Sequence, residues 1–243
     1  MNEKQENMEL IRLNRYLAQC GLCSRREADR LIREGRVSVN GVPADMGLRV
    51  SAGDEVAVNG KLLNRPGKTA VLAFYKPVGV TCTEKDRHAE KIITDMIRYP
   101  VRVTYAGRLD RDSEGLLILT NDGGLIDAMM RGSNRHEKEY VVKVDKEVTL
   151  QFLEGMSGGV YLKELEQTTR PCRVEKLGKY TFRIILTQGL NRQIRRMCQS
   201  FGYEVKSLRR VRVMNIQLGD LKPGCFREIT GEELERLYQM SGK

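Results

Sequence analysis

The sequence has few of the features that mark membrane, disulfide-rich or metal-binding proteins. Its purely apolar runs are short, such as 71–74 and 116–119, whereas a bilayer span needs about 20 apolar residues. Six cysteines in 243 residues are too few for a disulfide scaffold. The two histidines do not lie at zinc-finger spacing. Aromatic residues make up only 6% and form no RNP-type motif, so a base-stacking sheet is not indicated.

The chain also contains no Rossmann glycine fingerprint, no P-loop and no evident metal cluster. We therefore expect no cofactor and no metal. Cys20 and Cys23 form a single C-x-x-C pair without a second pair to complete a zinc site, and we interpret them as half-buried thiols. The stretch 1–7 is polar, unlike a secretory signal, so we expect a cytoplasmic protein.

Positive charge dominates the composition. Lys and Arg number 42 against 32 Asp and Glu, a net charge of +10, while 40% hydrophobic residues suffice for real cores. The stretch 12–41 has seven arginines against three acidic residues, and 170–212 has twelve basic residues against two acidic ones. Two such patches favour an anionic partner, with nucleic acid first and a membrane surface second.

The pattern divides the chain into a small unit over 10–64, a Pro-Gly linker over 65–70 and a larger unit over 71–238. In the small unit, apolar spacing predicts a first helix that ends at Gly21. A second helix is predicted to start at a capping box formed by Ser24 and Glu27. Asn-Gly pairs close two short strands, 37–39 and 56–58.

The larger unit mixes strand-like runs with few helices, which predicts an α+β fold. The strand-like runs are 71–75, 115–120, 140–144, 181–187 and 203–213. A helix over 191–201 is predicted to be capped by Asn191 and ended by Gly202, and a closing helix is predicted over 232–237.

The stretch 12–41 reads RLNRYLAQCGLCSRREADRLIREGRVSVNG and resembles the S4 RNA-binding domain. That family folds as two helices on a small bent sheet and binds structured RNA. The resemblance implies that six arginines face phosphate groups: Arg12, Arg15, Arg25, Arg26, Arg30 and Arg36. Such contacts position the RNA and do not read its sequence.

The stretch 107–123 reads GRLDRDSEGLLILTNDG and places one carboxylate, Asp110, between Arg108 and Arg111. Cations favour the ionised form of a neighbouring carboxyl group, which suits a nucleophile or a base. Taken alone, an Asp-Arg pair in a loop is far more often a structural salt bridge.

The whole motif changes that balance, because it resembles the signature of the RsuA-type pseudouridine synthases, which also carry an N-terminal S4 domain. Three further stretches agree in order: YKPVGV at 75–80, RHEKEYVV at 135–142 and QGLNRQIRRMC at 188–198. The last stretch is most similar to the RluF branch of that family, which acts on large-subunit ribosomal RNA. The family fold is a mainly antiparallel mixed sheet with flanking helices. Ser113 replaces the threonine of many members and keeps the hydroxyl group.

The resemblance implies a role for each matching residue. Asp110 would be the catalytic carboxylate, Tyr140 would stack on the target base, and Arg195 would pair with Asp110. Without the resemblance, Tyr140 would be read as a strand core residue and Arg195 as a basic residue of an amphipathic helix. The remaining residues are assigned to the substrate pocket (Arg108, Leu190 and Ile194) and to RNA binding (Arg192 and Arg196).

We therefore expect an isomerase that converts a uridine of ribosomal RNA to pseudouridine, acting as a monomer, with transfer RNA as a second candidate substrate. Asp110 would attack C1′ or remove the C2′ proton, and the sequence does not choose between these steps. A non-catalytic RNA-binding or ribosome-assembly protein is the main alternative. A nucleotide hydrolase is less favoured, because no second carboxylate or metal cluster to activate water is evident.

Overall fold

A computed structural model describes residues 10–51, 53–64, 67–83 and 92–242. The chain forms two compact units. The first comprises Met1–Ala70, Tyr99–Val103 and Asn121–Gly123, and the second comprises Val71–Arg98, Thr104–Thr120 and Gly124–Lys243. None of the helices in the described part of the chain is both long and apolar enough to cross a membrane.

The first unit packs two helices on short strands. The helices are α1 (Leu13–Gln19) and α2 (Arg25–Arg33). The strands are β1 (Ile11–Arg12), β2 (Val37–Val39), β3 (Val42–Pro43), β4 (Arg49–Val50), β5 (Val56–Val58) and β6 (Lys61–Leu62). They form a four-stranded sheet in the order β3-β2-β5-β6 and a separate β1-β4 pair.

Local sequence signals account for this unit. Both Asn-Gly pairs lie in hairpin turns with positive φ, 52° at Asn40 and 51° at Asn59, which is the backbone form that such turns require. The Ser24 hydroxyl accepts a hydrogen bond from the Glu27 amide at 3.3 Å, so the predicted cap of α2 is confirmed. Leu13, Leu17 and other apolar side chains of both helices share one buried cluster with the strands.

The second unit is built on a nine-stranded mixed sheet. Its main path runs β13-β14-β10-β15-β9-β7-β17, with β16 beside β15 and β8 beside β9. Among the described strands of this sheet, the β9–β15 pair is parallel and the others are antiparallel. The strands are β7 (Val71–Lys76), β8 (Thr104–Ala106), β9 (Glu114–Thr120), β10 (Lys138–Val144), β13 (Arg173–Gly178), β14 (Thr181–Leu186), β15 (Val205–Val213), β16 (Ile216–Gln217) and β17 (Phe226–Glu228). A small hairpin pairs β11 (Tyr161–Leu162) with β12 (Gln167–Thr168).

Four helices cover this sheet: α3 (Gly123–Met130), α4 (Leu150–Ser157), α5 (Gln193–Ser200) and α6 (Gly231–Ser241). Leu125 of α3 and Leu237 of α6 are buried in one core with β7 and β9. Phe152 of α4 and Met197 of α5 are buried in a second core with β10, β14 and β15. Each large apolar side chain that is fully buried contributes about 1.5–3 kcal/mol.

The predicted α+β class and the mainly antiparallel mixed sheet are confirmed. The predicted strands and the closing helix are present at nearly the expected positions. Helices α3 and α4 were not predicted from the sequence, and the predicted cap of α5 is wrong. The N-cap of α5 is Arg192, with φ of 49°, and the Asn191 carbonyl oxygen instead accepts a hydrogen bond from Arg196 at 3.1 Å. Asn191 therefore binds the side of the helix and does not cap its first turn.

Gly115 lies on β9, between strands β15 and β7. It pairs with Arg210 of β15 on one side and with Lys76 of β7 on the other. Its φ is 110°, and an added Cβ would lie 2.2 Å from the Arg210 carbonyl oxygen. A side chain at this position would therefore separate β9 from β15.

We expect Gly115→Ala to lower the free energy of unfolding by about 3 kcal/mol, because the methyl group has no room and the backbone is left-handed. Urea unfolding measures the change. Gly178→Ala is the matched control, since a Cβ there meets nothing within 4 Å. Equal stability of the two variants would contradict this account of the close approach between the strands.

Candidate active site

The loop 107–113 carries Asp110 between β8 and β9. Gly107 opens the loop with φ of 84°, and Leu109 is buried beneath it. The Ser113 amide donates to the Asp110 carbonyl oxygen at 3.1 Å, which closes a tight turn. The Gly79 amide donates to the Arg111 carbonyl oxygen at 2.8 Å, so the loop is also tied to the segment after β7.

Lys76 anchors the end of this loop from inside the protein. Its side chain is fully buried, and its Nζ donates to the carbonyl oxygens of Ser113 at 2.7 Å and Pro77 at 2.8 Å. Burial lowers the pKa of Lys76, and the charges of Asp110 and Asp112 act in the opposite direction. A buried ammonium group that binds backbone carbonyl oxygens fixes where the loop can run.

Two arginines of the α5 region bind the same loop through Asp112. The Arg192 guanidinium donates to both carboxylate oxygens of Asp112, at 3.1 and 2.9 Å. Arg195 Nε lies 3.2 Å from the same carboxylate, and its Nη2 donates to the Asp112 carbonyl oxygen at 2.8 Å. Asp112 is therefore shared by two cations.

Arg195 was expected from the sequence to pair with Asp110, and the structure shows a different arrangement. Arg195 binds Asp112, and the cation within 4 Å of Asp110 among the described residues is Arg192, whose Nη1 lies 3.8 Å from Oδ2. The reason is geometric. Arg195 lies in the first turn of α5, and from there its side chain contacts the loop at Asp112, two residues after Asp110. The Asp110 side chain remains about one-third exposed, at 34%.

Burial would raise the pKa of Asp112, but its hydrogen bonds with Arg192 and the charges of Arg195 and Arg192 outweigh this effect, so its pKa lies below the ordinary value. The Asp112 carboxylate is thus ionised while it holds both arginines. Asp112 was not predicted from the sequence, although its position two residues after Asp110 in an Arg-rich loop is a signal that could have identified it.

The expected base-binding side chains come together on one apolar cluster. Ile194 is 4% exposed, and Tyr140 and Leu190 pack against the same buried cluster from β10 and from the turn before α5. Arg108 is exposed in the loop. A cleft of about 820 Å³ opens beside Arg192 and Arg195, and its lining includes Asp112 but neither Asp110 nor Tyr140.

Tyr140 belongs to a row of residues that crosses the sheet. It pairs with Arg210 of β15, Arg210 pairs with Gly115 of β9, and Gly115 pairs with Lys76 of β7. Residues paired in register point to the same side of a sheet. The side chains of Tyr140, Arg210 and Lys76 therefore share one face.

Family models match both parts of the chain. Residues 70–200 match the RNA pseudouridylate synthase model, and residues 11–56 match the S4 domain model. The chain belongs to the RNA pseudouridylate synthase family. As a member of that family, this pseudouridine synthase is an isomerase with an S4 RNA-binding domain at its N-terminal end.

Similar proteins span nearly the whole synthase. It is 48% identical to the dual-specificity RNA pseudouridine synthase RluF of Escherichia coli K12 over 95% of this chain and 79% of that protein. It is 38% identical to the ribosomal large subunit pseudouridine synthase B of Bacillus subtilis over 95% of this chain and 96% of that protein. A solved pseudouridylate synthase structure covers 93% of this chain and 99% of its own, with 27% identity and a TM-score of 0.69.

The six arginines assigned to the S4 domain differ in their surroundings. Arg12, Arg25 and Arg26 are exposed and have no ion-pair partner among the described residues. Arg30 binds both Glu27 and Glu34, and Arg36 binds Glu34 and Asn59. Arg15 is half-buried. Of the six assigned arginines, Arg12, Arg25 and Arg26 are therefore the exposed ones whose charge is unpaired among the described residues.

In the second unit, Arg196 is likewise paired, since its Nη1 lies 3.0 Å from the Glu164 carboxylate. Arg192 forms ion pairs with Asp112 at 2.9 Å and with Asp110 at 3.8 Å. Both arginines were assigned to RNA binding from the sequence. In the structure both guanidinium groups are paired with carboxylates of the protein, and their RNA-binding role stays a prediction.

We expect Asp112→Asn to lower the free energy of unfolding by about 1 kcal/mol at about pH 6, because it removes a partly exposed carboxylate that two arginines bind. The folded pKa lies below the unfolded value near 3.8, so this contribution is present above that value and is lost as pH falls through the folded pKa. Urea unfolding between about pH 6 and about pH 3 measures the difference.

Asp220→Asn serves as the control for this pH series, because Asp220 is exposed and has no ion pair among the described residues. A deficit in Asp112→Asn that stays constant down to the lowest pH would contradict the assignment of the shared carboxylate.

Proposed function

We propose that this synthase converts a uridine of large-subunit ribosomal RNA to pseudouridine, with Asp110 as the catalytic carboxylate. The observation that carries the proposal is the position of Asp110, whose side chain is partly exposed on an anchored loop. Arg195 and Lys76 bind the carbonyl oxygens of Asp112 and Ser113, just after Asp110. The relative named ribosomal large subunit pseudouridine synthase B supports the choice of RNA. The proposed site of action is the cytoplasm, and the proposed state is a monomer.

The reaction breaks the N1–C1′ bond, turns the uracil and joins C5 to C1′. It gains no atoms and involves no net redox change. The Asp110 carboxylate attacks C1′ or removes the C2′ proton, and both routes need a fixed carboxylate oxygen near the sugar. The hydrogen bonds that hold the loop supply that fixed position.

The target base must leave its stack before it can react, which costs a few kcal/mol. Tyr140, Leu190 and Ile194 offer an apolar surface that offsets part of this cost. A base held there is also kept from diffusing away after the glycosidic bond breaks. Asp110 and this surface are therefore assigned to the same nucleotide.

We expect Asp110→Asn to abolish pseudouridine formation while RNA affinity stays nearly unchanged, because the amide can neither attack C1′ nor accept a proton. Tritium release from C5-labelled uridine in ribosomal RNA measures the reaction, and filter binding measures affinity. Asp220→Asn is the matched control. Full activity in Asp110→Asn would remove Asp110 from the mechanism.

The same assay applied to transfer RNA decides whether it is a second substrate. Mapping of pseudouridine in RNA from cells with and without this protein identifies the modified uridine. If the native protein binds ribosomal RNA but forms no pseudouridine in any RNA, the alternative of a non-catalytic RNA-binding protein is correct.

We expect the double variant Arg25→Gln, Arg26→Gln to bind RNA more weakly and to flatten the dependence of log K on log salt by roughly 0.7–0.9 for each phosphate group that the protein no longer binds. Arg30→Gln is the control, because the Arg30 charge is already paired with Glu27 and Glu34. An unchanged slope in the double variant would exclude this face as the anchor.

A further inference from the structure

Two cations beside Tyr140 have no counter-ion in the part of the chain that the structure describes. Arg210 is 3% exposed, and its Nε donates to the Leu116 carbonyl oxygen at 2.7 Å. Its Nη1 and Nη2 groups make no hydrogen bond with any described residue. Lys138 is half-buried and has neither a hydrogen bond nor an ion pair within the described ranges.

These two cations lie on the same face as the proposed base-binding tyrosine. Arg210 pairs directly with Tyr140 across β10 and β15, so their Cβ atoms lie about 5 Å apart. Lys138 lies two residues before Tyr140 on β10, and alternation along a strand turns both side chains to one face. A base stacked on Tyr140 would therefore have its edges near both cations.

The fully buried side-chain atoms without a partner include neither Arg210 Nη1 or Nη2 nor Lys138 Nζ, so these unpaired donors keep contact with solvent and can be reached by a ligand. Burial and then the charge of Arg210 lower the pKa of Lys138 to about 8. Lys76, on the same face, differs because both its carbonyl partners are within the protein. The unpaired donors on this face of the sheet therefore belong to Arg210 and Lys138.

We propose that Lys138 and Arg210 are further catalytic residues that bind the oxygen atoms of the uracil while it carries negative charge. This inference rests on the proposed function. When the N1–C1′ bond breaks, its electron pair stays with the base, and the negative charge spreads onto O2 and O4. Donors placed where charge develops stabilise the transition state more than the ground state.

The remaining steps balance without another reactant. If Asp110 attacks C1′, an ester bond forms as the N1–C1′ bond breaks. C5 of the turned base then bonds to C1′, and the ester bond breaks to restore the carboxylate. C5 finally loses its proton and N1 gains one. The two cations act on the free base between these steps and exchange no atoms with it.

The test measures single-turnover conversion of ribosomal RNA at saturating protein. We expect Lys138→Gln to slow conversion by about 100-fold with unchanged RNA affinity. The variant loses a charged donor whose bond to the uracil oxygen is strongest when the base carries negative charge in the transition state. Lys143→Gln is the matched control, since Lys143 is exposed on the same strand and alternates to the other face. Lys138→Arg should restore most of the rate.

A pH profile separates this role from a structural one. The native kcat/KM should fall as pH rises through about 8, where Lys138 loses its proton. Lys138→Arg should extend activity to higher pH. Besides burial, Arg210 from β15 is the charged group that lowers the pKa of Lys138, and burial and the Lys138 charge in turn lower the pKa of His136, while Leu186 of β14 carries no charge.

The outcomes distinguish this inference from the proposed function. A native protein that forms no pseudouridine overturns both. An active native protein with a Lys138→Gln variant that matches Lys143→Gln in rate and pH profile overturns this inference alone. Weaker RNA binding with an unchanged saturated rate also overturns it, because the cations would then bind a backbone phosphate.

Discussion

The hydrogen bonds from Lys76 and Arg195 to the carbonyl oxygens of the loop 107–113 fix the geometry on which the proposed chemistry depends. One cation is fully buried under the loop, and the other is an arginine of α5. Both bonds hold the backbone just after Asp110, at the carbonyl oxygens of Asp112 and Ser113, so they limit where the Asp110 side chain can lie. A partly exposed carboxylate loop without such anchors would sample many positions and lose the benefit of orientation.

Asp112 gives the site a second carboxylate with a different purpose. It holds Arg192 and Arg195 together, although two neighbouring arginines would otherwise repel each other. Within the described residues, Asp110 is thereby left with one more distant arginine, Arg192, and with a side chain that is about one-third exposed. Beside Tyr140, Arg210 and Lys138 add positive charge without a matching carboxylate among the residues described. In the proposed reaction, the Asp110 carboxylate thus faces the sugar, and the Arg210 and Lys138 cations face the base.

Several elements could be predicted because their signals are local. The Asn-Gly hairpins, the Ser24 cap and the apolar runs of β7 and β9 depend on residues that are neighbours in the sequence. The cap of α5 was predicted wrongly because Asn191 has the right residue type but bonds Arg196 in place of a first-turn amide. The helices α3 and α4 were missed because neither has a strong apolar stripe, and each is held mainly by burial against the sheet.

The sequence by itself determined the family, the order of its motifs and the identity of Asp110 and Tyr140 as candidates, because those motifs are contiguous runs whose residue types limit the chemistry. Only the tertiary structure decided which arginine lies beside Asp110, that Arg195 binds Asp112, and that Arg210, Gly115 and Lys76 line up with Tyr140. These pairs are distant in the chain. Strand register and the entry point of α5 bring them together, and neither quantity can be read from local residue patterns.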